Sequence, residues 1–369
     1  MSATVPTHDA NERLGSLKQL SLEELTNLNV TAFSRSEERW WRMPGALDVI
    51  TNEDIRRSGT LNLPDALRLA TGVHVAQSSE RSWAVGIRGF NVLAGNKVSV
   101  LMDGRSLYTP FFSGIQWDAQ DTLLADIDRI EVARGPVGSL WGTYAVNGFI
   151  QIFTKPAWDT QGLLISIGSG THDPIFASIR YGGRSGRDTF YRVYAKYFEA
   201  DWTTDADGNE VLDSIDFFQT GFRVDALRTG DVSLTVQGDA YTNKHLPRSR
   251  LQTDIEGLNL LGRLNSYVSD GQFTAQGYLE YTSLDIPLNF SEVRRTASTS
   301  LQFHRMDGYH DWKVGLDAMI SRDAIGQSTF VGLEPNRETF HNIGVFAQDT
   351  YAWRPDTLHT TTGVKLEHN

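Results

Sequence analysis

Hydrophobic and polar positions change their rhythm near Lys155. After it the chain alternates in single steps. In "VSLTVQGDAY", Val232, Leu234, Val236, Gly238 and Ala240 share one side, and Ser233, Thr235, Gln237 and Asp239 share the other. Such period-two patterning predicts strands with one apolar and one wet face. "YRVYAKYF", "WKVGLDAMI" and "NIGVFAQDTYAW" repeat it, and about eleven strands of roughly ten residues fit between Lys155 and the end. Tilted strands of that length cross a bilayer.

Before Lys155 short helices mix with strands. "SLKQLSLEELTNLNV" spaces Leu17, Leu20, Leu22, Leu25 and Leu28 near the helical period, and Ser21 with Glu24 forms a capping box. "TNEDIRRSG" predicts a helix capped by Thr51 and stopped at Gly59, and "NLPDALRLATG" one capped by Asn62 with Pro64 in its first turn and Gly72 beyond its end. The runs "GALDVI", "GVHVAQ", "AVGIRGF", "KVSVLMDG", "RIEVARG" and "GFIQIFTK" predict strands between and after them. The result is a mixed α/β unit of ordinary domain size.

Connections in the β region alternate in length. Short ones carry turn residues ("GGRSGRD", "RTGD", "SDG", "MDGYHD", "RPD"). Between them come "EADWTTDADGNEVLD", "TNKHLPRSRLQTDIEG", "SLDIPLNFSEVRR" and "SRDAIGQSTFVGLEPNRE". Short turns at one rim and long loops at the other describe an up-and-down outer-membrane barrel, although alternating strands alone also suit a soluble sandwich. Because single-chain bacterial barrels avoid odd strand numbers, and "LHTTTGVKLEHN" ends where a strand should reach a long loop, a truncated wall is expected.

Composition narrows the function classes. The 369 residues include no cysteine, which excludes disulfides, thiolate metal sites and cysteine nucleophiles. A net charge of -11 argues against nucleic-acid binding, which needs a basic stripe. No apolar run is long enough for a transmembrane helix, and "MSATVPTHDANERLG" lacks the core of a signal peptide. HExxH, GxSxG and GxxxxGK[ST] motifs are missing, and the nine histidines are scattered, so no enzyme and no bound cofactor is expected. Asp205, Asp207, Asn209 and Asp213 in "TDADGNEVLD" miss the spacing of a calcium loop and read as a solvated acidic loop.

One stretch asks for a ligand or a large partner surface. "IRGFNVLAGNKVSVLMDGRSLYTPFFSGIQWD" places Tyr108, Phe111, Phe112 and Trp117 among Gly, Pro, Ser and Thr. Such a loop is either buried in something large or exposed to a ligand.

Around that stretch the sequence resembles the plug domain of TonB-dependent outer-membrane receptors. The marks are Arg88 and Gly89 before a strand and the turn Asp103, Gly104, Arg105. Then come Ile130, Glu131, Arg134, Gly135 and Pro136, Trp141 and Gly142, Ala145, Asn147 and Gly148, and Thr154 with Lys155. The resemblance implies an N-terminal periplasmic segment over residues 1–39, a mixed α/β plug over 40–156 and, over 157–369, about half of a 22-strand membrane β-barrel. It implies a bacterial outer-membrane location among lipid and lipopolysaccharide. The implied activity is energised import of a scarce nutrient such as a ferric siderophore, haem or cobalamin. TonB, working with ExbB and ExbD, would be the periplasmic partner, recruited through an exposed TonB box at Val30, Thr31, Ala32 and Phe33. A receptor that senses ligand without transport, and a non-functional fragment, stay open as alternatives. The family pattern also implies salt bridges from Arg88 and Arg134 to wall glutamates, with Glu199 and Glu280 as candidates and pairing inside the plug through Glu131 or Asp103 as the alternative. Arg248 and Arg250 are candidates for attracting an anionic ferric chelate or lipopolysaccharide phosphate.

Overall fold

The computed structural model describes residues 29–31, 35, 38–39 and 45–369, apart from 81, 94, 96, 136, 138–140, 143, 172–174, 206, 212, 229–231, 244–252, 269, 329–331 and 355–356. The expected helix from Leu17 to Leu28, half of the candidate TonB box (Ala32 and Phe33), Pro136, Arg248 and Arg250 lie outside the described residues.

Strands β1 (Asn29–Val30) and β2 (Glu38–Arg39) form a small antiparallel pair. The α/β unit begins with β3 (Ala46–Thr51), which runs into helix α1 (Asn52–Ser58). Thr51 and Asp54 close the reciprocal capping box, and Gly59 leaves the helix in the left-handed conformation. Helix α2 (Leu63–Ala66) starts from the Asn62 cap with Pro64 in its first turn, then tightens to a 3-10 turn at Leu67–Leu69. Next come the hairpin β4 (Val73–Ser79) and β5 (Ser82–Ile87), then β6 (Val98–Met102) and β7 (Arg105–Ser106). The pair β8 (Tyr108–Thr109) and β9 (Gly114–Ile115), then β10 (Ile127–Arg134) and β11 (Gly148–Thr154), complete the unit. A five-stranded sheet in the order β3-β10-β11-β6-β7 is its centre, and Ile55, Leu63, Leu67, Trp83, Ile130, Val132, Ile150 and Ile152 are among its buried core.

The alternating region forms one eleven-stranded antiparallel meander in sequence order. Its strands are β12 (Gly162–Gly168), β13 (Ile175–Ser185), β14 (Thr189–Ala200), β15 (Ile215–Arg228), β16 (Val232–Thr242) and β17 (Asp254–Val268). They continue with β18 (Gly271–Ile286), β19 (Phe290–Asp307), β20 (His310–Gln327), β21 (Arg337–Arg354) and β22 (Leu358–His368). Outward positions such as Val193, Leu260, Leu279, Val314 and Val345 are exposed aliphatics, whereas inward Arg192, Lys196 and Arg223 are buried against the α/β unit. An apolar face turned outward and charges turned inward suit a membrane wall around a polar interior. Among the described residues no helix is long and apolar enough to cross a membrane.

Strand lengths depart from the expected ten. β19, β20 and β21 each run 18 residues. "SLDIPLNFSEVRR" is therefore not a long loop: β18 and β19 continue through it and leave only residues 287–289 as the turn. The extension has a packing cause, because Leu284, Ile286 and Phe290 lie in an apolar cluster with Phe112 of the α/β unit.

Candidate functional site

The four aromatics of the quoted loop serve three different surfaces. Trp117 is 6% exposed in the core of the α/β unit. Tyr108 stacks on Tyr144 with ring centroids 3.9 Å apart. Phe111 and Phe112 meet edge-on at 5.1 Å, and Phe111 meets Phe290 of the wall at 5.2 Å. Phe112 packs with Phe198, Ile215, Ile255 and Leu284. Phe198, Ile215 and Ile255 lie at strand ends joined by the longer connections, and Leu284 and Phe290 flank the 287–289 turn at the same rim, so the loop is an apex pointing to it. Beside it, a cavity of about 540 Å³ opens between α1, α2 and the first wall strands, lined by Trp83, Trp117, Phe176, Phe198 and Phe217 among others.

Trp117 thus reads as packing first. Trp117→Ala should lower the unfolding free energy by about 3–5 kcal/mol, the usual range for truncating a buried aromatic. Chemical denaturation checks it, and an unchanged midpoint would remove Trp117 from the core.

The Asp-Gly turn wedges the α/β unit into the wall. Asp103 and Gly104 both have positive φ, 48° and 85°, and Met102 pairs with Arg105 across them, the geometry an Asp-Gly sequence favours in a two-residue turn. A Cβ on Gly104 would stand 2.5 Å from the end of the Gln276 side chain of the wall, which would have to move aside, but the positive φ alone already favours glycine at the tip. Asp103 accepts from Thr154 N at 2.9 Å, Thr154 Oγ1 at 2.6 Å and Gln237 Nε2 at 2.8 Å, with Arg223 Nη1 at 3.9 Å. Arg263 donates to the Asp103 carbonyl. Arg105 reaches Glu280 at 2.9 Å.

Further buried pairs continue the seam. Asp126, 1% exposed, accepts from Arg180 and lies 3.3 Å from Arg192 Nε. Lys196 donates to Asp121, and Asp225 accepts from Ala157 N at 2.7 Å. In most of these pairs the inner unit supplies the carboxylate and the wall supplies the cation.

That polarity corrects the expected salt bridges. Arg134 pairs at 3.3 Å with Asp48 inside the unit, and Arg88 donates to the Arg134 carbonyl at 3.2 Å. Glu280 holds Arg105 instead, and Glu199 accepts from Tyr197. Neither alternative partner takes those arginines either: Glu131 pairs with Arg129 at 2.9 Å, and Asp103 is used as described above. The physical reason is location, because Arg134 ends a strand beside β3 and stays with its neighbour's carboxylate. Sequence reading missed Asp121, Asp126, Arg180, Arg192, Lys196, Arg223 and Arg263. The signal available was their parity: Arg192 and Lys196 stand on the wet side of an otherwise aromatic strand.

The remaining motif glycines divide. Gly89, Gly135 and Gly142 have positive φ. Gly148 does not, but a Cβ there would lie 2.5 Å from Ile87 Cδ1. Asn147 N donates to Lys97 O at 2.8 Å, which ties the motif to the start of β6.

Val30 and Thr31, the described half of the candidate TonB box, are not exposed as expected. Val30 is 0% exposed, and Thr31 donates through N at 2.8 Å and through Oγ1 at 3.2 Å to Glu131 Oε2. Arg35 places both Nη atoms on Asp317 of β20, at 3.1 and 2.9 Å, and lies over the rings of Trp141 and Phe346.

Residues 41–149 match the family profile described as TonB-dependent Receptor Plug Domain. Residues 41–149 are thus a plug domain of the TonB-dependent receptor kind, and the meander after them has the fold of part of such a receptor's barrel. A curated relative, the vitamin B12 transporter BtuB of Vibrio cholerae serotype O1, is 32% identical over 155 residues, which are 42% of this chain and 24% of that protein. Among solved structures, the pyoverdine receptor FpvA of P. aeruginosa superposes with a TM-score of 0.72 at 15% identity over 92% of this chain and 53% of that one. The siderophore receptor PirA of Pseudomonas aeruginosa gives 0.65 at 17% identity over 88% of this chain and 58% of that one. The chain therefore spans a little over half the length of those structures. The plug and its meander place the protein in the bacterial outer membrane.

Proposed function

We propose that this chain is the plug-bearing part of a receptor that imports a scarce nutrient across the outer membrane, with TonB drawing on the plug from the periplasm. The observation that carries the reading is the seam: a folded stopper is held to the wall by buried ion pairs around Asp103, Asp126 and Arg105. Separating the partners of such a buried pair is costly, so the stopper stays seated until work is done on it. Ligand would be met at the apex carrying Phe111 and Phe112 and at the cavity beside it. Val30 to Phe33 would be the peptide that TonB takes up by strand addition. The relatives' names point to vitamin B12 and to iron carriers as the ligand classes to try first. No bond in the ligand is made or broken on this reading.

Growth decides it. A receptor-null strain carrying the full-length gene should regain growth on one member of a panel of ferric chelates and cobalamin, and only with TonB present. Failure on every member, or rescue without TonB, rejects import.

A further inference from the structure

At the short-turn rim, register lines up an unusual row on the outward face. Leu301, Leu316, Val345 and Leu366 pair across β19 to β22, and Phe303, Val314, Ala347 and Val364 form the next row. Both are apolar, as a lipid-facing band requires. The row after that reads Arg305, Trp312, Asp349, Thr362, and the next reads Asp307, His310, Tyr351, Thr360. Rings gather here: His310 lies 4.8 Å from Tyr351, and Tyr351 meets Trp353 edge-on at 4.8 Å. Trp312 and Trp353 are exposed.

An aromatic belt at the bilayer interface accounts for the rings but not for Asp349. This carboxylate lies one row from aliphatic side chains, where an unmet charge is costly. Its Oδ2 is 2.8 Å from His310 Nδ1, and its Oδ1 is covered yet accepts no hydrogen bond among the described residues. The side chain is 30% exposed, so a turn of the carboxylate would present that oxygen to a cation with N–H groups that also uses the π faces beside it. Arg305, on the other side of Trp312, is held only at 3.4 and 3.8 Å by the exposed carboxylates of Asp307 and Asp270, which leaves its fork available to a phosphate.

We propose that Arg305, Trp312 and Asp349 form a site for the headgroup of a zwitterionic, amine-bearing phospholipid such as phosphatidylethanolamine. The phosphate sits on Arg305, and the ammonium lies against Trp312 and donates to Asp349. The site depends on the wall's membrane position and not on which nutrient is carried. A choline headgroup has no N–H to give Asp349, and a glycerol headgroup has no cation.

The test uses the delipidated full chain in detergent, titrated with dihexanoyl phosphatidylethanolamine, phosphatidylcholine and phosphatidylglycerol and followed by tryptophan emission. The ethanolamine lipid should bind about tenfold more tightly than either of the others, a difference of about 1.4 kcal/mol. Asp349→Asn should remove the preference, and Arg305→Gln should weaken all three alike. Equal affinities for the three lipids, tightest binding of the glycerol lipid, or a preference that survives Asp349→Asn overturns the site. If Asp349→Asn does not fold, the comparison on the unmodified chain still decides.

Discussion

Asp103→Ala should unseat the plug at a cost of about 3–5 kcal/mol, the range for removing one partner from a buried charge network. The carboxylate satisfies Thr154 and Gln237 and faces Arg223 Nη1, so its loss strips those donors of their acceptor and leaves Asp225, at 2.8 Å, as the carboxylate paired with the buried guanidinium. Urea unfolding should show the lower midpoint, and trypsin should cut the plug faster in the folded barrel. Acid adds a second readout. Burial pushes the Asp103 carboxyl up, but the charge of Arg223, the Thr154 hydroxyl and the charge of Arg263 outweigh it and hold the group below the ordinary carboxylate range. A depressed folded value means the contribution is complete above the unfolded pKa, near about 4, and disappears as pH falls through the folded one. Asp103→Asn should therefore flatten the acid limb of the stability curve. Equal midpoints and an unchanged acid limb in both variants would show that the turn carries no weight in the seat.

Local patterning made much of this architecture legible. Val232 to Ala240 alternate because one face meets lipid and the other the lumen, and that contrast is written residue by residue. Thr51 with Asp54, and Asp103 with Gly104, are equally local, since a cap or a two-residue turn is settled within four positions. The seam is different. Arg105 and Glu280 lie 175 residues apart, and nothing in either neighbourhood specifies the other. Glu280 was recognisable as a lumen-facing carboxylate on a strand, yet sequence offered Arg88 and Arg134 for it and geometry chose Arg105 on the turn. The aromatic loop fails in the same way: composition marked all four rings, but whether a ring enters the plug core or meets Phe290 depends on the turn at residues 110–113. Strand length was underestimated because the period says where alternation exists and not what covers it. Above the lipid, β18 and β19 continue because the plug's Phe112 packs on them.

Replacing Val30 and Thr31 together by proline should abolish TonB-dependent growth while leaving ligand binding at the cell surface intact. Strand addition needs backbone donors along the added peptide, and proline removes one at each position. The resting structure adds a condition, because Val30 is buried and Thr31 is bonded to Glu131, so the segment must leave the plug before any partner can pair with it. The two steps separate in a second variant. Glu131→Gln weakens the hold on Thr31 without touching the peptide's own donors, so amide hydrogen exchange at Val30 and Thr31 should speed up while growth persists. Growth that survives the proline pair places the coupling peptide elsewhere. Unchanged exchange in Glu131→Gln would mean that the Arg35–Asp317 pair, at 2.9 Å, restrains the segment by itself.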